Sequence, residues 1–215
     1  MRTLSIPYIP RLDERPTWET VEPILDQYAA KAPVATVNWP EYPERPEAVA
    51  LIARSSHSLF LKFDVTEEQS VRGTYTDDGS PVYQDSCVEF FVRHPDGRRY
   101  LNFEFNCLGT CDAARRESRE LAEPLAPAEY QRIRRHASLG RTPLIIDDEA
   151  TPWRLLIEIP LELMDLDPKA LPSALRVNFY KCGDLTKRPH YLSWSPIGLP
   201  APNFHCPEYF GEALL

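Results

Sequence analysis

Residues 82–92 read VYQDSCVEFFV. Val88, Phe90 and Val92 fall on alternate positions and Phe91 adds an aromatic, the composition of a strand. Successive strand side chains point to opposite sides, so Tyr83, Asp85, Cys87, Glu89 and Phe91 share the other face. A strand with one apolar face, and two carboxylates and a phenol on the other, predicts a sheet that packs on one side only.

The neighbouring segments repeat this pattern. HPDGRR (94–99) reads as a hairpin turn and YLNFEFNC (100–107) as the partner strand. There Leu101, Phe103 and Phe105 point inward, and Tyr100, Asn102, Glu104 and Asn106 outward. SLFLKFDV (58–65) alternates, with Leu59 and Leu61 opposite Phe60, Lys62 and Asp64. TPWRLLIEIPLELM (151–164) reads as a strand followed by a Pro-initiated helical turn. Its residues Leu155, Ile157 and Ile159 point inward, and Arg154, Leu156 and Glu158 outward. In ALRVNFYKC (174–182), Val177 and Phe179 are inward, and Arg176, Asn178 and Tyr180 outward. The tail is aromatic and Pro-rich, with a last short strand.

Many short strands separated by turns predict an all-β fold. The expected form is an antiparallel β-sandwich of jelly-roll type with a few short helices in its loops. Helical segments are expected near 18–30, over 112–123 (DAARRESRELAE) and over 127–136, the last with Pro at its first position. The 22 prolines, spread among 215 residues, fit short strands joined by fixed loops. Residues 1–215 are expected to form a single domain, with the Pro-rich and irregular segment 1–50 packed on it.

The net charge of −8 argues against nucleic acid as a partner, because an acidic surface repels phosphate backbones. The one basic cluster, Arg132, Arg134, Arg135 and His136, reads as the polar face of a helix. No stretch approaches the ~18–20 apolar residues that span a bilayer, so no membrane partner is expected. Prolines at positions 7 and 10 interrupt any signal-peptide core. The expected location is cytoplasmic, or secreted or periplasmic if a leader has been removed. Five cysteines, an odd number, fit buried thiols better than a disulfide framework, and the C-x3-C of Cys107 and Cys111 is no standard metal motif.

If the strands are neighbours, their outer residues make one face of carboxylates, amides, tyrosines and a few guanidiniums. Planar bidentate groups of this kind match the vicinal hydroxyls of a sugar, and aromatic rings match its C–H faces. A merely solvated sheet face is the alternative. Against it, only Lys62 brings lysine to these faces. Asp85 and Glu89 also suggest a glycosidase pair. Four residues along one strand, however, span about 13 Å, beyond the about 5–9.5 Å that glycoside hydrolysis uses. Glu104 or Glu158 across the sheet remain as partners for such chemistry. Asp85 has a structural alternative, accepting backbone N–H groups of the preceding loop.

The run from Tyr83 through DSCVEFF (85–91), YLNFEFN (100–106), WRLLIEIP (153–160), RVNFYKCGD (176–184) and HYLSWSPIGLPAPNFHCPEYFG (190–211) resembles the carbohydrate-binding family-nine-like proteins. These are relatives of the family-nine modules attached to xylanases and share a DOMON-like β-sandwich. The resemblance covers residues 50–215. It implies sugar binding between two aromatic rings, the first of them six residues before a Glu that bonds hydroxyls. Carried over, Tyr83 and Trp194 form the clamp and Glu89 is the acceptor. Here the first ring is Tyr where the family has Trp.

The expected function is therefore non-catalytic recognition of a sugar or oligosaccharide by stacking and bidentate hydrogen bonds. Asp85, Asn102, Glu104, Asn106 and Asn178 are expected on its polar floor, with Arg72, Tyr75 and Lys181 at its rim. His190 and His205 flank the Trp194 loop and are in reach of a ligand. The resemblance also implies structural calcium. Asp77/Asp78 and Asp147/Asp148/Glu149 are acidic enough for it, although solvated turns read equally acidic. Carbohydrate hydrolysis is one alternative. Haem bound in a DOMON-like sandwich is another, with Met164 the one internal methionine to serve as an axial ligand.

Overall fold

A computed structural model describes residues 1–95 and 97–215. The turn expected over 94–99 contains residue 96, which lies outside the described residues. Strands are numbered in chain order. The larger sheet runs β1 (Thr3–Ser5), β16 (Gly211–Leu214), β14 (Ala174–Cys182), β7 (Cys87–Arg93), β8 (Tyr100–Asn106), β9 (Cys111–Arg116) and β10 (Ala122–Pro124). On β14 it also carries β15 (Tyr191–Ser193), which pairs in turn with β3 (Thr36–Val37). The second sheet runs β11 (Arg134–Ala137), β13 (Thr151–Pro160), β5 (Ser58–Glu67), β4 (Glu47–Arg54) and β2 (Ala30–Pro33). A separate ribbon pairs β6 (Ser70–Gly73) with β12 (Leu144–Asp147). Pairing within the sheets is antiparallel apart from β1 and β16, which run parallel and bring both ends of the chain into one sheet.

The two sheets face each other across the alternating apolar residues of their strands. Phe90, Phe103 and Phe179 of the larger sheet meet Leu61, Phe63, Leu155 and Ile157 of the smaller, all fully buried. Phe63 and Phe179 approach edge-on across the gap, 6.4 Å between centroids. This is the expected β-sandwich.

Both outer faces are covered as well. Helix α1 (Trp18–Tyr28) lays Val21, Ile24 and Leu25, at helical spacing, over Phe60 and Leu156 of the smaller sheet. The aromatic tail folds back over the larger sheet. Phe204 stacks on Tyr180 with centroids 4.1 Å apart, and Phe210 packs on Phe91 and Tyr100.

Several local expectations change. Segment 112–123 is not a helix but the strands β9 and β10, because pairing with β8 overrides the helix propensity of its Ala, Arg and Glu. Of 127–136 only α2 (Pro127–Tyr130) is helical. Arg134, Arg135 and His136 belong to β11, where Arg134 pairs with Glu158 at 2.6 Å and Arg135 with Asp78 at 2.6 Å. The segment 1–50 contributes strands to both sheets besides its helix. Tyr83 and Asp85 precede the strand, Tyr83 in a 3-10 turn (Val82–Gln84). Glu158 lies in the other sheet and cannot share a face with Glu89. Among the described residues no helix is long and apolar enough to cross a membrane.

Candidate functional site

Where the tail leaves the larger sheet uncovered, a cleft of about 310 Å³ opens. Its floor is set by register. Glu89 of β7 stands directly opposite Glu104 of β8, which stands opposite Asp112 of β9. Cys182 of β14 and Arg116 of β9 extend this floor. Around it rise Tyr83, Arg119, Asp184, Tyr191 and the loop Pro202, Asn203, Phe204 and His205. Tyr83 is the most open aromatic here, 40% exposed. Its carbonyl accepts the Asp184 N–H at 3.1 Å, tying the two walls together.

The electrostatics of the floor are unusual. Burial, reinforced by the charges of Cys182 and Glu104, holds the Glu89 carboxyl well above the usual carboxylate range. Burial and Asp112 raise Glu104 to about 8, against the pull of Arg116 and the Asn102 hydrogen bond. Asp112 and Asp184 are raised by burial too. Burial, with Arg116 and Arg119 nearby, lowers His205 to about 3, so its ring is neutral. Glu89 accepts from the Cys182 thiol at 3.1 Å. Asn102 donates to Glu104 at 2.9 Å and accepts from Arg116 at 2.6 Å, which fixes both side chains. The result is a sheltered row of carboxyl groups that can donate or accept, bordered by cations and rings.

The structure sorts the sequence-derived candidates. Tyr83, Glu89 and Glu104 line the cleft, and Asn102 supports it from beneath. Asp85 does not reach it. Fully buried, it accepts from Thr74 N and Oγ1 at 2.8 Å each, from Tyr75 N at 3.0 Å and from Asn106 at 3.0 Å. Arg72 lies 3.3 Å from the same carboxylate. This is the loop-anchoring alternative. Asn106 is likewise structural, its Oδ1 accepting the Leu108 and Thr110 N–H groups. Asn178 is spent on Ser195, accepting its N–H at 2.8 Å and donating to its carbonyl at 3.0 Å. Tyr75 donates to Gln84 beside Tyr83 at 2.5 Å.

Two further placements are corrections. Trp194 is 3% exposed in the core between the sheets, edge-on to Phe179 at 5.7 Å, and is no wall of the cleft. Gly211 has no Cβ because one would collide with the Trp194 ring. Lys181 is not a rim residue. It is fully buried on the inward face with His190 at 2.8 Å and Glu67 at 3.3 Å. His205 reaches the cleft and His190 does not.

Cleft residues that the sequence reading missed are Asp112, Arg116, Arg119, Cys182, Asp184, Tyr191, Pro202, Asn203 and Phe204. Asp112 and Arg116 were legible in the alternation of Asp112, Ala114 and Arg116 once the helix was set aside. Tyr191 was legible as the residue opposite in phase to Leu192 and Trp194.

One member of each acidic cluster weighed for calcium is engaged by a cation of the chain. Asp78 is clasped by Arg135 through both oxygens, and Asp148 pairs with Lys187. Met164 lies in the core. Among the described residues the group able to converge on a metal is Cys87, Glu89 and Cys182.

Comparison with known proteins adds to this picture. The family model for carbohydrate-binding family 9 matches residues 19–215. A crystal structure from Bacteroides uniformis, of a protein provisionally described as carbohydrate-binding, is 33% identical with a TM-score of 0.90. The match covers 99% of this chain and 98% of that one. Two structures of a family 9 carbohydrate-binding module from Caldicellulosiruptor kristjanssonii share the fold. The glucose complex is 12% identical with a TM-score of 0.62, covering 99% of this chain and 95% of that one. The cellotriose complex is 13% identical with a TM-score of 0.58, covering 99% and 93%. No curated protein matches the chain.

Proposed function

The chain belongs to carbohydrate-binding family 9, and from that premise we propose that the cleft over Glu89, Glu104 and Asp112 binds a sugar without changing it. The observation that carries this is the row of three carboxyl groups across adjacent strands, sheltered from water yet open to the cleft. A buried polar group without a partner is costly, and sugar hydroxyls are partners that both donate and accept. Tyr83, Tyr191 and Phe204 offer rings for the apolar face of a pyranose. Stacking on Tyr83 is the finer part of the proposal, with Tyr191 or Phe204 in the place first given to Trp194.

The cleft sits at the small end of the about 300–1,000 Å³ range of small-molecule sites, which suits one ring or the end of a short chain. The family neighbours were solved with glucose and with cellotriose, so glucose and short gluco-oligosaccharides are the first ligands to test. Binding is favoured over hydrolysis because Glu89 and Glu104 project side by side from one sheet face. Glycosidase carboxylates must instead flank the bond they break.

Calorimetric titration with glucose, cellobiose and cellotriose tests the proposal. Glu89→Ala should weaken binding at least about tenfold, or ~1.4 kcal/mol, with the fold intact by circular dichroism. Trp194→Phe should lower the melting temperature and leave affinity unchanged. Unaltered affinity in Glu89→Ala would place the sugar elsewhere.

A further inference from the structure

The floor of the cleft holds a second chemistry. Cys87 and Cys182 are directly paired residues of β7 and β14, and Glu89 follows two positions after Cys87 on the same face. Their two sulfurs and one Glu89 oxygen all lie within 4.8 Å of one another, and all three residues are buried. We propose that Cys87, Glu89 and Cys182 bind a thiophilic divalent cation of the zinc class, with one coordination position open to the cleft.

The donor set selects the cation. Two sulfurs and a carboxylate suit zinc or cadmium and not calcium or magnesium, which take oxygen ligands. Zn–S bonds of about 2.3 Å and Zn–O bonds of about 2.0–2.2 Å put tetrahedral ligand atoms about 3.5–3.8 Å apart. The three donors are already gathered on that scale, with the Cys182 sulfur 3.1 Å from Glu89 Oε1. Small side-chain rotations complete the triangle, and neither strand has to move.

Access follows from the same geometry. Glu89 and Cys182 line the cleft, so the fourth position faces the space where a water or a sugar hydroxyl can enter. Closed structural zinc sites take four protein ligands, whereas three ligands and an open position mark a site that meets a second molecule. Cysteine binds such a cation as the thiolate, so a cation entering here displaces the two thiol protons, and its affinity rises with pH. The inference is independent of the sugar reading, since the cation can be followed with no sugar present.

The experiment titrates the full chain, kept reduced with a phosphine, with cadmium as a spectroscopic stand-in for zinc. The expected result is an ultraviolet thiolate-to-cadmium charge-transfer band that saturates at one cation per chain and is diminished by zinc in large excess. Either Cys87→Ser or Cys182→Ser should cut the band by about half or more, and the double variant should abolish it. Cys206→Ser, whose thiol lies outside the cluster, should leave it unchanged. A second measurement needs no variant. Calorimetry of zinc binding in buffers of different ionisation enthalpy should show release of at least two protons per cation. Absence of the band at stoichiometric cadmium, its survival in the double variant, or binding without proton release would overturn the proposal.

Discussion

The two sheets bury charge on their outer faces in opposite ways. Under α1, Lys62 is 5% exposed, with Asp26 at 2.6 Å and Glu22 and Asp64 at 3.3 Å. On the same sheet Glu158 accepts from Arg134 at 2.6 Å and from Ser58 at 3.0 Å. Across the molecule, Glu89 and Glu104 are as deeply buried, but Glu89 has a thiol and Glu104 an amide for company. A buried charge that finds its counter-charge within the chain holds the fold together. A carboxyl group that is sheltered, raised and turned toward a cleft is placed to take a partner from outside the chain. The contrast separates scaffold from site without reference to any relative.

Lys62→Met should break the first half of the contrast with the largest effect on stability. It leaves three carboxylates around an apolar side chain. Removing one member of a buried pair costs about 3–5 kcal/mol. Here Asp26 and Asp64 are about half exposed, so solvent reduces the loss to about 1–2 kcal/mol. The melting temperature should fall by about 2–8 °C at about 2–4 °C per kcal/mol, with sugar affinity unchanged. A matching loss of affinity would mean that the two faces are coupled and the contrast fails.

The sequence carried the sheet-forming strands well, because period-two alternation is a strong local signal. Segment 174–182 matches β14 from end to end, and 151–164 resolves into β13 and its following turn. It also showed that Glu89 and Glu104 share a polar face. It did not show what covers that face, which depends on the tail crossing back over Phe91, Tyr100 and Tyr180. Nor did composition reveal β9. Residues 113–116 are good helix formers made into a strand by pairing with β8 and β10. Trp194 illustrates a different error. Its place in an aromatic segment suggested a clamp, but alternation with Leu192 puts it inward, and Tyr191 faces the cleft instead. The same rule, applied from Val177 and Phe179, already pointed Lys181 inward.

Glu104→Gln sharpens the second half of the contrast through pH. Glu104 titrates near 4.5 when unfolded and at about 8 when folded. The stability that its retained proton contributes is complete below pH 4.5 and is lost as pH rises to about 8. Glu89 is raised as well and acts in the same direction. The wild-type melting temperature should therefore decline between pH 5 and pH 8, and Glu104→Gln should decline less steeply. His205 works in the opposite sense, since its neutral form adds stability above pH 6.5 that is lost as pH falls toward 3. Lys62 adds no slope between pH 5 and 8. Burial opposes its charge, but Asp26 and Asp64 outweigh that and raise it above 10.5. Identical slopes in wild type and Glu104→Gln would show that the cleft carboxyl is not held protonated.

The smallest effect tests whether the walls matter as well as the floor. Tyr83 is 40% exposed and its side chain stands at the mouth of the cleft, so Tyr83→Ala removes a ring that the fold hardly uses. The melting temperature should stay within about 2 °C, as for other surface changes of up to about 0.5 kcal/mol. A ring stacked on a sugar is worth about 0.5–1.5 kcal/mol beyond its buried area, so affinity should fall about threefold to tenfold. Tyr83→Phe should restore it if stacking is the contribution and fail to restore it if the hydroxyl bonds the ligand. The second outcome would move Tyr83 from the apolar walls into the same class as Glu89, a polar group completed by the sugar.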